Sequence, residues 1–454
     1  MIQKFSGGEN KTKPYFWKKL VDKNVPENLQ ANNQFSVSII TQFYPPDYAA
    51  TGQLIHELAT KLREDDIRVN IFTGQPGYAF KQNKAPKIEL VNGVKVQRSR
   101  TSQLFSTKIL GKALNGVLFS VRTALHILRH RNKNDVLLLT TAPPFLCIVG
   151  YLANFFFGIP YVCLIYDLYP DVATEFGLIS AKHPITKLWN WLNFRIWFRA
   201  KSIIVLSETM EQRIVAKHPQ VKSKISVIHN WADAELIKPI SKQDNWFARQ
   251  HGINHKFTVL YSGNLGRCHD LETMLDAMEL LKTEPVQFVF IGAGAKHELC
   301  QQKAQELGLK NCQFLPYQDR TNLPYSLTAC DLALVSIAPN MEGVVVPSKL
   351  YGVMAAGRAI AAICEPHSYL RELISKAGCG ACFDNNDSAG LAEFILTLAS
   401  DTNQAVAMGA AGRKYLEANF TPKIIAKKYS QVLKQVENPY TMSRQKSSEM
   451  LLPK

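Results

Sequence analysis

The sequence predicts an α/β protein of two Rossmann-like, doubly wound units that face each other across a cleft. Three observations lead there. A length of 454 residues suits two or three domains. Short Val-, Ile- and Leu-rich runs alternate with helical patterns, which requires parallel sheets with right-handed crossovers. The alternation occurs twice, in successive series joined by the connector "NWADAELIKPI", Asn230 to Ile240. The expected division is a disordered basic extension over 1–33, a first unit over 34–235 and a second over 236–420. A last helix covers 421–437, and a disordered tail follows over 438–454.

In order, "FSVSIIT" from Phe35 is the first strand, and it enters the loop "QFYPPDYAATG", Gln42 to Gly52. Leu54, Ile55, Leu58, Ala59 and Leu62 recur at helical spacing. Ile67 to Gly74 is a second strand, and Val94 to Gln97 begins another. Leu104 to Arg131 is one long basic, amphipathic helical pattern. "DVLLLTTAPPF" is a strand and turn. "FLCIVGYLANFFFGIPYVCLI", Phe145 to Ile165, has the length of a membrane span. Asn154 and Gly158-Ile-Pro160 split it into a buried helix and a strand over Tyr161 to Tyr166. A helix through "ITKLWNWLNFRIWFRA" and the strands "SIIVLS" and "ISVIHN" complete the first series. The second has strands over 257–263, 286–292, 312–317, 332–337 and 359–364, with helices between them.

Composition narrows the function. A hydrophobic fraction of 46% is ample for large cores. The formal net charge of +16 points to an anionic partner, either nucleic acid, a membrane surface or a phosphorylated substrate. No nucleic-acid reading motif appears, so nucleic acid is not an expected partner. The nine cysteines are scattered. Cys379 and Cys382 form a CxxC without a second pair or a nearby His, so no metal and no cofactor is expected. The N-terminus lacks the apolar run of a secretory signal, and the expected compartment is the reducing cytoplasm.

Four stretches can carry chemistry. Tyr261-Ser-Gly-Asn-Leu-Gly-Arg267 ends a strand and precedes a helix. Gly263 and Gly266 permit a tight turn and close backbone approach, the helix start favours an anion, and Arg267 adds a cation. Gly292-Ala-Gly294 repeats that turn more weakly. In "VVVPSKLYGVMAAGRAI", Pro347 suits a loop or first helical turn, Ser348 can cap a helix and Lys349 puts a cation beside helix N–H groups. The stretch reads as a phosphate-holding turn or, the plainer reading taken alone, as a well-capped helix between strands. "YDLYPD" puts Asp167 and Asp171 at the end of a strand, where a carboxylate can act as a base or accept from hydroxyls, or can cap a helix or turn. His56 and His269 lie near these turns, with a core or solvated role as the plainer reading.

Seven of these segments, in order, resemble one family. They are "FYPPDYAATGQLIHELATKL", "TTAPPF", "YDLYPDVA", "VIHNWADAELIKP", "YSGNLGRCHDLETML", "FIGAGAKHELC" and "VPSKLYGVMAAGRAI". The chain is similar to the retaining, nucleotide-sugar-dependent glycosyltransferases of the GT-B type, family 4, in the branch that builds bacterial exopolysaccharide, O-antigen and colanic-acid-like polymers. The resemblance implies a donor site mainly in the second unit. It places Gly52, Gly263, Asn264, Gly266, Arg267, Ser348 and Lys349 near the donor diphosphate, and Gly292, Gly294, Tyr317 and Glu342 near the nucleoside or sugar. Asp167, Tyr48 and Asp171 would lie near the acceptor. Asp167, Arg267 and Lys349 are the expected catalytic groups. The family's donor motif often has two Glu separated by seven residues, and here Val344 and Gly352 occupy those places, with Glu342 close but out of register.

The expected reaction is transfer from a nucleoside-diphosphate sugar, UDP by family prior, with retention at the anomeric carbon. A polyprenyl-diphosphate-linked saccharide is the expected acceptor, at the cytoplasmic face of the inner membrane. The basic pattern from Leu104 to Arg131 is the expected membrane contact, testable by changing Lys112, Arg122 and Arg129 to Glu. Two alternatives remain, a UDP-sugar epimerase of the same fold and a non-catalytic binding or assembly partner, the latter favoured by the missing Glu pair.

Overall fold

The computed structural model describes residues 35–47, 49–76, 85–99, 109–130 and 135–436. Tyr48 and the two expected disordered ends lie outside them.

The first unit has strands β1 (Ser36–Ile40), β2 (Arg68–Thr73), β3 (Ile88–Val91), β4 (Val94–Arg98), β5 (Asp135–Thr140), β6 (Tyr161–Ile165), β7 (Ser202–Val205) and β8 (Ile225–Val227). They form an eight-stranded sheet in the order β3-β4-β2-β1-β5-β6-β7-β8. The β3–β4 pair is antiparallel, and the other pairings are parallel. Apolar runs such as "YVCLI" are buried at every position, as a sheet covered on both faces requires. β3 is absent from the sequence reading. It pairs with β4 through the turn Asn92-Gly93, both residues at positive φ (51° and 75°), which suits a tight hairpin.

The second unit has β9 (Phe257–Ser262), β10 (Val286–Ile291), β11 (Cys312–Leu315), β12 (Leu332–Ser336), β13 (Ala359–Ile363) and β14 (Gly380–Phe383). They form a wholly parallel sheet, β11-β10-β9-β12-β13-β14. β14 is also additional to the sequence reading, and it carries Cys382 while Cys379 lies buried just before it.

The helix Leu146–Phe157 ends at Gly158 in the left-handed conformation, and β6 follows, so the apolar stretch divides where expected. Among the described residues no helix is long and apolar enough to cross a membrane. One face of the first sheet packs on the helices Ala50–Glu64 and Pro422–Gln435, which touch each other. The last helix thereby returns to the first unit, with Tyr429 edge-on to Trp231 at 6.3 Å. The other face packs on the helices Ile109–His130, Leu146–Phe157 and Pro184–Arg199, side by side.

Strand order reverses beside β1 in the first sheet and beside β9 in the second. Doubly wound sheets bind ligands in the crevice at such switch points, at the carboxyl ends of the strands. The loops there follow β1, β5, β9 and β12, and loops of the two units meet. Leu168 N–H donates to Val344 O at 2.9 Å, from the loop after β6 to the loop after β12.

Candidate active site

The turn after β9 is locked onto the turn after β10. Gly263 N–H donates to Ile291 O at 2.8 Å, Leu265 N–H to Ala293 O at 2.9 Å, and Lys296 N–H to Leu265 O at 2.9 Å. A Cβ at Gly292 would stand 2.0 Å from Gly263 O, and one at Gly294 would stand 2.4 Å from Leu265 O. Both glycines also have positive φ (139° and 156°). Their requirement is therefore close packing of backbone on backbone, and together they set the shape of the Gly263–Gly266 turn.

Lys349 reaches this turn from the start of the helix Lys349–Ala355. Its Nζ lies 3.7 Å from the centre of the Tyr261 ring and donates to the Tyr261 hydroxyl. That hydroxyl donates in turn to Asn264 O at 2.9 Å. A Cβ at Gly263 would touch Lys349 Cε at 3.5 Å. No carboxylate pairs with Lys349 among the described residues, and burial pushes its ammonium down to about 7. It is a desolvated cation without a counterion, seated where two turns meet. Ser348 stands at the N-cap, but its side chain caps no N–H. Arg267 is exposed on the turn, and Asn264 is exposed beside it.

The helix Glu272–Leu280 does not offer its N-terminus to a ligand, contrary to the sequence reading. Asp270 accepts from Thr273 N–H at 3.0 Å and from the Thr273 hydroxyl at 2.8 Å, and so occupies that end. His269 is buried, and burial with Lys349 nearby holds its imidazole down to about 3. Its Nδ1 lies 2.8 Å from Ser336 O. A carbonyl only accepts, so neutral His269 carries its proton on Nδ1.

Across the cleft, Asp167 follows β6. Its backbone N–H donates to the Thr141 hydroxyl at 3.3 Å. Its carboxylate has no hydrogen-bond partner among the described residues, and burial pushes it up to about 6. Burial raises the Cys268 thiol, Asp167 raises it further and Lys349 lowers it, so each unit places a charge within electrostatic reach of that thiol. Beside Asp167 lies a cavity of about 210 Å³, walled by Phe145, Leu168, Tyr169, Leu188, Trp189 and Leu192. Trp189 stacks on Tyr169 with ring centres 5.9 Å apart.

Other expected site residues have different roles. Asp171 accepts from Lys217 at 2.6 Å and from Arg213 at 3.0 Å, so its charge is spent on a buried ion-pair cluster rather than on an acceptor. Glu342 is buried and accepts from the Thr209 hydroxyl of the first unit at 2.5 Å, which makes it an interdomain contact rather than a nucleoside contact. Gly52 lies inside the helix Ala50–Glu64, where a Cβ would come within 3.0 Å of Phe43 and Tyr44 backbone. It is a close-packed position in the first turn of that helix. Val344 is buried, with its carbonyl bound to Leu168, and Gly352 faces Leu327 at 3.4 Å, so no carboxylate stands at either place of the Glu pair. Tyr317 is half exposed and donates to Ala293 O at 3.3 Å.

Sequence reasoning missed Tyr261, read as one more core position of a strand, and the aromatic cavity. It also missed Arg320, which bonds Gln53 at 3.2 Å and pairs with Glu57 of the first unit. His56 is engaged by the Tyr44 hydroxyl at 2.8 Å.

Comparison with known proteins follows the same division. The family described as Glycosyltransferase Family 4 matches residues 51–236, and that described as Glycosyl transferases group 1 matches residues 243–415. "Probable glycosyltransferase WbjE" of Pseudomonas aeruginosa is 29% identical over 344 residues, 74% of this chain and 82% of that protein. WcaI of Escherichia coli (strain K12), provisionally described as a colanic acid biosynthesis glycosyl transferase, is 28% identical over 174 residues, 38% of this chain and 42% of that protein. Anabaena Alr3699/HepE, solved in complex with UDP and glucose, superposes with a TM-score of 0.67 at 18% identity, covering 88% of this chain and 100% of that one.

Proposed function

The chain belongs to the glycosyltransferases of the GT-B, family 4 type, and on that premise we propose that it moves a sugar from a UDP-sugar to a lipid-linked or saccharide acceptor, with retention, in cell-surface polysaccharide synthesis. One observation carries the reading, namely that a desolvated Lys349 without a carboxylate partner among the described residues sits on a glycine-built turn, while an unpaired Asp167 lies on the first-unit loop that meets the second unit through Leu168 and Val344. Departure of a nucleoside diphosphate leaves negative charge on its phosphate. Lys349, Arg267 and the backbone N–H groups of the turn stabilise that charge, the term that dominates such catalysis. These protein cations take the part a metal would otherwise play.

The bond from the anomeric carbon to the phosphate oxygen breaks, and one to the acceptor oxygen forms. Asp167 orients the acceptor hydroxyl and accepts hydrogen-bond character as its proton leaves for the departing phosphate. Seating this acceptor side beside an apolar cavity suits a substrate with hydrocarbon near its sugar. We also place the chain at the cytoplasmic face of a membrane. The helix Ile109–His130 supports this, since Leu114, Val117, Val121, Leu125 and Leu128 are exposed along it.

The vacant Glu-pair positions favour one second reading, a non-catalytic donor-binding partner. Turnover and binding with UDP-, GDP- and dTDP-sugars separate the two, using wild type and an Arg267→Ala/Lys349→Ala variant. Nucleoside diphosphate released from one donor and lost in the variant supports transfer. Binding without release, with membrane lipid extract present, supports the partner reading, and no binding to any donor overturns the phosphate site.

A further inference from the structure

We propose that a basic pocket at the far end of the first sheet binds the phosphate of an anionic phospholipid headgroup. The inference rests on the reading that the chain works at a membrane surface. The pocket opens where Pro160 leads into β6, Ser202 begins β7 and Ser226 lies in β8. It is therefore at the amino ends of these strands, opposite the donor cleft. Its volume is about 490 Å³.

Arg199, Lys201 and Lys224 line it together with serines, and no carboxylate lines it among the described residues. Among the described residues Arg199 hydrogen-bonds only through Nε, donating to Asn154 Oδ1 at 2.6 Å, which leaves its terminal nitrogens for a bidentate phosphate contact. Lys224 is fixed by the carbonyls of Phe198 and Ala200. Burial and the neighbouring Lys201 hold Lys224 below the usual lysine range, an arrangement that a bound anion relieves.

The rim points to a lipid rather than to a free ion. Phe155 and Phe198 are exposed and pack on two of the pocket's cations. Arg199 lies over the Phe155 ring at 5.2 Å and Lys224 over the Phe198 ring at 5.3 Å. Aromatic rings paired with cations suit the boundary between acyl chain and headgroup. The exposed apolar line continues along the helix Pro184–Arg199 through Trp191, Leu188 and Ile185, each about half exposed. Leu188 and Ile185 lie at the cavity beside Asp167. A helix of this length spans about 24 Å. A bilayer resting on it would hold the acceptor cavity at headgroup level, with the pocket gripping a phosphate at the other end.

Flotation of the full chain with vesicles tests this, using phosphatidylcholine alone or mixed with phosphatidylglycerol. We expect Arg199→Gln/Lys201→Gln to weaken binding to the anionic vesicles about fivefold per cation removed. Its thermal midpoint should match wild type, and Lys201→Gln alone supplies a milder variant. Arg122→Gln/Arg129→Gln, on the neighbouring helix, is the comparison, and it should lose less. Equal losses from both pairs would overturn the pocket in favour of a diffuse basic face. Wild-type binding that survives the Arg199/Lys201 change overturns the pocket and leaves the membrane reading intact, whereas failure of wild type to float overturns both. Inorganic phosphate is the second probe. Stabilisation of wild type by phosphate, without discrimination between vesicles, would reassign the pocket to a free anion and overturn the lipid.

Discussion

Asp167 and Lys349 are displaced toward each other, one pushed up to about 6 and the other down to about 7, both by burial. If Asp167 acts as carboxylate and Lys349 as ammonium, activity needs a pH above the first value and below the second. kcat/KM should therefore rise through pH 6 and fall above pH 7, a narrow bell. Asp167→Asn should remove the acid limb along with most of the rate. Lys349→Arg should keep part of the activity and lose the alkaline limb, since a guanidinium stays charged. A flat profile from pH 5 to 8 would remove both groups from the chemistry. Lys349→Ala should cost about 10²–10³ in kcat/KM, as for loss of one donor to a developing anion. The same burial has a stability sign. The unfolded chain binds the Lys349 proton up to its ordinary pKa while the folded chain releases it near 7, so folding stability gains as pH rises across that window. Because Lys349 is only half buried, Lys349→Met should stabilise the chain at pH 7 by about 1–2 kcal/mol, seen as a higher Tm even as activity is lost.

At the scale of elements, the Gly263–Gly266 and Gly292–Gly294 turns form one unit. Gly292→Ala would force its Cβ into Gly263 O. It should lower stability by about 2–4 kcal/mol and weaken nucleotide binding in the refolded fraction, measured by thermal melts and titration. The last helix is a second such element. Leu433 is fully buried against the first unit, and Leu433→Ala should cost about 2–5 kcal/mol in denaturant unfolding. Both elements show what the sequence could disclose. Strand and helix types followed from periodicity because inner parallel strands such as Tyr161–Ile165 and Ala359–Ile363 are apolar at every position and their helices are striped. The two missed strands fail that test. β3 is a short half-exposed edge strand, and β14 contains Gly380, whose Cβ would meet Ile360 O at 1.8 Å. The signal for β3 was present in "VNGV" as an Asn-Gly hairpin turn. Within the site, glycines and the cations Arg267 and Lys349 stood out by type. Tyr261 did not, since a buried strand tyrosine looks the same whether or not its hydroxyl holds a lysine. Asp171 and Glu342 were not legible because a carboxylate beside a cleft motif carries no mark of the side chain that will bond it. Those partners, Lys217 and Thr209, come from the helix Glu208–Lys217, which no local pattern connects to them.

For the whole molecule, polar contacts among the described residues join the two units, and several of them lie beside the cleft. Arg320 of the second unit pairs with Glu57 of the first, which also accepts from Trp231 Nε1 at 2.9 Å. Arg213 donates to Glu342 O at 3.0 Å while Thr209 holds the Glu342 side chain. The covalent links are the connector around Asn230–Ile240 and the segment leading into the last helix. Such an arrangement suits hinge closure, in which a few contacts made only in the closed form set its population. Arg320→Ala combined with Glu342→Ala removes one side-chain contact from each side of the cleft while touching neither Lys349 nor Asp167. The closed form should lose about 1–3 kcal/mol, enough to move the equilibrium by one order of magnitude or more. In solution scattering the radius of gyration should then exceed the ~22 Å of a compact chain of this size by about 1–2 Å. Water would reach the donor more often, so hydrolysis of the nucleotide sugar should rise relative to transfer even if total turnover falls. An unchanged radius with an unchanged hydrolysis-to-transfer ratio would mean that the apolar interface, not these contacts, sets closure. A larger radius with an unchanged ratio would instead separate closure from the exclusion of water.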